Sequence, residues 1–121
     1  MTAGELIAQV DTLRPNQYSL AQKLQWLQRV DGQVRLELEQ SHEPESEIPP
    51  WEAYTEQTEL LVQFPYDTEL YTAYLFCQID LHNGEISRYN QSLALLSAAW
   101  RQVADSINRS RMPKSSGDWR L

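Results

Sequence analysis

Four side chains able to bind metals or move protons crowd into one stretch, "LFCQIDLHNGEISRYN" (residues 75–90): Cys77, Asp80, His82 and Glu85. A thiolate, two carboxylates and an imidazole would make a transition-metal centre if three or four of them converged on one point. Asn83-Gly84 lies in their midst, and in a β-hairpin that dipeptide supplies the positive φ angles of a tight turn. Spacing decides between these chemistries. At 100° per residue on a helix, Asp80 and Glu85 point to nearly opposite sides, and more than a right angle separates Cys77 from His82. His82 and Glu85 share a face, but two ligands hold a metal weakly. A calcium loop fails as well, because Gly84 falls at the fifth position from Asp80 where such loops need glycine at the sixth. The expectation is no metal: Cys77 is a core thiol, His82 a boundary residue, and Glu85–Arg88 an i,i+3 surface ion pair.

No nucleophile–base arrangement stands elsewhere in the chain. It has two histidines, and His42 lies in an acidic segment with no nucleophile near it. There is no glycine-rich phosphate loop, no Cys-x-x-Cys pair and no basic–aromatic interleaving of the kind that binds single strands. A non-enzymatic protein without cofactors is expected.

The elements that carry these residues read as helices. Four glycines in 121 residues, with abundant Leu, Gln, Glu and Ala, disfavour a turn-rich β fold. Thr2-x-x-Glu5 forms a capping box ahead of Leu6, Ile7, Val10 and Leu13, and Pro15 ends that run. A second box, Ser19-x-x-Gln22, opens a helix striped by Leu20, Leu24, Leu27, Val34 and Leu38, which absorbs the interruption at Asp31-Gly32. Residues 42–58 form a long acidic loop in which Trp51 and Tyr54 either dock on a partner or pin the loop to its own core. "LLVQF" (residues 60–64) favours an extended conformation without a strand partner in the chain, which points to pairing with a neighbouring subunit. After Pro65, with Asp67 as N-cap, Tyr71, Leu75, Ile79, His82, Ile86, Tyr89, Leu93, Leu96, Trp100, Val103 and Ile107 recur at an average of 3.6 residues. That period predicts one helix of about forty residues running through Asn83-Gly84. A second stripe (Leu70, Tyr74, Cys77, Leu81, Gly84) predicts cover on both sides of its front half, with Gly84 admitting a close neighbouring helix.

The fold class expected is therefore all-α: a small bundle of two N-terminal helices, a long acidic loop with a short extended segment, and one long C-terminal helix. Residues 1–111 form the helical domain and 112–121 a flexible basic tail. Charge is uneven along it: −6 over residues 1–58, −4 over 59–105 and +3 over 106–121. An acidic body repels a phosphate backbone, so specific nucleic-acid binding is not expected. The tail residues Arg109, Arg111, Lys114 and Trp119 are candidates for ordering on a partner. A single cysteine, an N-terminus without a basic leader and the lack of a long apolar run predict a soluble protein of a reducing compartment, away from membranes.

Together, "VDTLRPNQYSLAQKLQWLQRVDGQV" and "LLVQFPYDTELYTAYLFCQIDLHNGEISRYNQSLALLSAAWRQVADSINR" resemble a group of small prophage proteins of Gram-positive bacteria, whose genes lie among the head and tail genes. The matching features are Arg14-Pro15-Asn16, Lys23, Trp26-Leu27, Pro65-Tyr66-Asp67, Leu70-Tyr71, Asp80, Asn83, Glu85 and Tyr89-Asn90. In organisation the chain also resembles the head–tail connector (adaptor) proteins of long-tailed phages. That resemblance implies a subunit forming a ring beneath the portal, its C-terminal region reaching a portal subunit and its loop facing the channel or the next ring. It places the protein in the host cytoplasm during assembly and then at the head–tail junction of the virion. Another phage morphogenesis factor, a tail-completion factor or an assembly chaperone, is the alternative.

Overall fold

A computed structural model of the chain describes residues 1–41 and 52–110. Four helices follow in order: α1 (Ala3–Leu13), α2 (Leu20–Ser41), α3 (Asp67–Asn83) and α4 (Ile86–Ser110). The expected all-α bundle is what the chain forms.

The capping box at the start of α1 closes as the sequence predicts. Thr2 Oγ1 accepts from the Glu5 N–H at 3.2 Å, and Glu5 Oε1 accepts from the Thr2 N–H at 2.9 Å. Two more N–H groups of this helix end find carbonyls far along the chain, since Ala3 N donates to Thr58 O at 2.8 Å and Gly4 N to Glu56 O at 2.9 Å. The first turn thus lacks none of the partners a helix start leaves open. Gly4 permits the approach: a Cβ there would stand 3.0 Å from Glu56 O and 3.1 Å from Glu56 Cβ. α2 passes through Asp31-Gly32 as one helix, and the Ser19 hydroxyl accepts from the Gln22 N–H at 3.1 Å.

α3 runs through the middle and packs against the other three helices. Leu70, Tyr71, Leu75, Cys77, Ile79 and Asp80 are buried around its circumference, so α3 is covered on both sides as far as Asp80. The second stripe is not covered to its end, because Leu81 is 46% exposed. The core they build with Leu6, Val10, Trp26, Leu27, Val30 and Val34 is closed on α4 by Ala99 and Val103.

The single forty-residue helix does not form. α3 ends at Asn83 and α4 starts at Ile86, folding back against it as a helical hairpin. Gly84 takes the left-handed conformation at φ 75°, its N–H donates to Leu81 O at 3.1 Å, and the Glu85 N–H donates to Asp80 O at 3.0 Å. These are the two bonds of a Schellman ending, which requires a residue tolerant of positive φ. Gly84 therefore does not admit a close helix; a Cβ there would meet nothing within 4 Å. The glycine set against a close neighbour is Gly4.

The extended segment is also not an orphan strand. One antiparallel bridge, Thr2 to Glu59, is the only β pairing among the described residues. The backbone N–H groups of residues 60–62 all find partners within the chain: Leu60 N donates to Met1 O, Leu61 N to Asp31 Oδ2 and Val62 N to the Tyr71 hydroxyl. Pairing with a neighbouring subunit is not needed to explain it. Asp67 is the first helical residue and not the N-cap, which is Tyr66; its Oδ1 accepts from the Thr68 N–H at 2.8 Å.

Candidate functional site

Three polar knots hold the helices in register. The deepest centres on Asp31, fully buried in α2. Its Oδ1 accepts from the Tyr71 hydroxyl at 2.5 Å; its Oδ2 accepts from the Tyr54 hydroxyl at 2.5 Å and from the Leu61 N–H at 3.1 Å. Burial raises the Asp31 carboxyl above its usual range, against the pull of those donors. Burial first, then the neighbouring carboxylate, pushes both tyrosine hydroxyls up as well, so each stays a protonated donor.

The second knot joins α1, α3 and α4. Arg14 Nη1 donates to Asp80 Oδ2 at 2.6 Å, Ser92 Oγ donates to the same oxygen at 2.9 Å, and the Arg14 guanidinium lies 3.9 Å above the Phe76 ring. In the third, Lys23 Nζ donates to both oxygens of Asp11 at 2.9 and 3.0 Å and to Asn16 Oδ1 at 3.2 Å, locking the α1–α2 link. Each knot is a contact within the bundle: neutral donors meet the Asp31 carboxyl in the first, and opposite charges pair in the other two. Asp80 Oδ1 is buried without a hydrogen-bond partner among the described residues.

The residues that opened the sequence reading lie in different surroundings. Cys77 is buried, and burial pushes its thiol up to about 11, so it is protonated and inert at neutral pH. His82 lies at the surface with its ring 5.2 Å from that of Trp26 and 6.0 Å from that of Tyr18. Glu85 and Arg88 pair at 3.2 Å on the exposed face. Among the described residues no three His, Cys, Asp or Glu side chains gather as metal ligands would. Nor, among them, is any helix long and apolar enough to cross a membrane.

Of the partner-binding candidates, Tyr54 serves its own core. Its hydroxyl is held by Asp31, and its N–H donates to Gln28 Oε1 at 3.1 Å. That is the second of the two roles left open for it. Arg109 is exposed on the last turn of α4. Trp51, Arg111, Lys114 and Trp119 lie outside the described residues.

What the surface offers is an apolar groove of about 360 Å³ along the α3–α4 hairpin. Ala73 and Phe76 of α3 and Ala98 and Ala99 of α4 form its walls, with Thr68, Glu69, Thr72 and Gln102 toward one end. Leu13 and Leu95 border it, 67% and 61% exposed. The sequence reading missed this feature. Leu13 was assigned to the α1 core stripe, and Leu95 and Ala98 lay off the stripe traced along α4. The available signal was the α4 face itself, where small residues (Ser92, Ala99) are buried while Ile86, Leu93 and Leu95 are exposed. A smaller groove of about 220 Å³ lies where Val34, Leu38, Leu61, Phe64 and Ile107 meet. Phe64 beside it is 87% exposed.

A surface of this kind is suited to apolar contact. Comparison with protein-family models, curated proteins and solved structures finds no match to this chain.

Proposed function

We propose that the chain is a non-enzymatic structural subunit of a phage virion, a head–tail connector that assembles as a ring beneath the portal. The observation that carries this reading is the apolar groove of the α3–α4 hairpin with its exposed leucines, a surface suited to protein contact. The resemblance to small prophage proteins supplies the biological setting. Several of the residues that carry it (Arg14, Asn16, Lys23, Tyr71 and Asp80) hold the bundle together through its polar knots. They are what a family sharing this scaffold would need to keep. An acidic body, −10 over residues 1–105, suits a conduit that DNA passes without sticking.

On this reading the partners are the portal, neighbouring head–tail proteins and further copies of the chain. The protein works in the host cytoplasm during assembly and then at the head–tail junction. Mixing the chain with phage portal protein, then imaging by electron microscopy, tests the proposal. Extra ring density below the portal is the expected result. Failure to bind any portal-containing particle, or a gene set among metabolic enzymes, overturns it.

A further inference from the structure

We propose that the α3–α4 groove receives the C-terminal segment, residues 109–121, of a second copy of this chain. The argument begins with charge. Residues 109–121 hold Arg109, Arg111, Lys114 and Arg120 against Asp118, a net +3, while residues 1–108 sum to −10. The one strongly basic stretch of the chain thus has its complement on the body of another copy, where Glu69 lines the groove and Asp105 lies one turn beyond Gln102 on α4. The segment also carries apolar side chains to fill an apolar groove, Trp119 and Leu121 after Met112. An aromatic anchor in a desolvated pocket with charged residues at its rim is how short segments hold larger surfaces.

Geometry selects a second copy over the same one. The groove's last α4 residue is Gln102, and the helix continues from there to Ser110, about 12 Å further along its axis. α4 therefore carries the start of the segment away from its own groove, which the segment could enter only by reversing. A neighbour's groove imposes no reversal. A tail-to-groove contact is heterologous, so it propagates from copy to copy and closes into a ring when the rotation permits. The inference rests on the self-association in the function proposed above and names the surfaces that make it. It can fail alone, because portal binding by the chain does not depend on it.

The test uses the full-length chain carrying Trp119→Ala, which leaves the groove empty, and a fluorescein-labelled peptide of residues 109–121 as probe. Anisotropy is expected to show saturable binding that weakens at least about tenfold when Leu95→Asp is added. It should also weaken several-fold as salt rises from about 50 to about 300 mM. Leu95 is exposed, so this variant keeps the fold, which circular dichroism checks. In sedimentation the unmodified chain should gain mass with concentration, and Leu95→Asp or Trp119→Ala alone should prevent it. A mixture of those two variants retains one intact groove and one intact tail, and should form a one-to-one pair. No peptide binding, or binding indifferent to Leu95→Asp, overturns the proposal. So does a wild-type chain that stays monomeric at all concentrations while its own tail blocks the peptide, which places the segment in its own groove.

Discussion

Asp31 is a buried junction between elements. It ties α2 to the segment before α3 and to α3 itself, through three donors on two carboxylate oxygens. Tyr71→Phe removes a hydroxyl that both donates to Asp31 and accepts from Val62 N, leaving two buried groups unpaired. We expect a loss of about 2 kcal/mol in urea denaturation. Asp31 also gives the stability a pH dependence. Its carboxyl is raised by burial, so the folded chain holds that proton more tightly than the unfolded chain does. The stabilisation from this group is fully present below its unfolded value and is lost as pH rises through its folded value. Stability of the wild type relative to Asp31→Asn should therefore fall between acid and neutral pH in urea melts. A rise would mean that the tyrosine hydrogen bonds outweigh burial. In the sequence Asp31 was legible only as an interruption of an apolar stripe. Its partners lie 23 to 40 positions away, and nothing local records them.

At the scale of elements, signals confined to one helix were readable and those set by packing were not. The Thr2–Glu5 box, the passage of α2 through Gly32 and the buried circumference of α3 all follow from local chemistry or periodicity. The break at Gly84 was hidden because large apolar residues continue at helical spacing on both sides of it. In the folded chain Ile86 and Leu93 of that series are exposed, whereas Leu96, Trp100, Val103 and Ile107 still face the core, with Ser92 and Ala99 buried beside them. The series holds in the later part of α4 and fails around the turn. The two informative glycines can be told apart experimentally. Gly84→Ala should lose about 1 kcal/mol through backbone strain at positive φ, and Gly84→Asn less, because asparagine tolerates that conformation. Gly4→Ala and Gly4→Asn should each lose about 1–2 kcal/mol, with asparagine no better than alanine, because the obstacle is the Glu56 backbone. Thermal melts of the four variants decide both.

The four helices end at Ser110, and a basic stretch of sequence follows them. Among the described residues the core closes on α4 at Ala99 and Val103, with partial packing by Ile107. A chain ending at Ser110 should therefore melt within about 3 °C of the full-length protein. On the function proposed here, the same truncation should abolish self-association in sedimentation. A large drop in melting temperature would show instead that the segment belongs to the bundle.

The seal on the first turn of α1 has a consequence in time. Ala3 and Gly4 donate to carbonyls more than fifty positions downstream, whereas α3 and α4 meet across a turn of two residues. A chain leaving the ribosome exposes α1 long before Glu56 and Thr58 exist, and loop closure of that length is slower than folding a hairpin. Of the four helices, the one synthesised first is thus capped late, once residues 56–60 exist and have closed back on it. Its order of birth is the reverse of its order of completion.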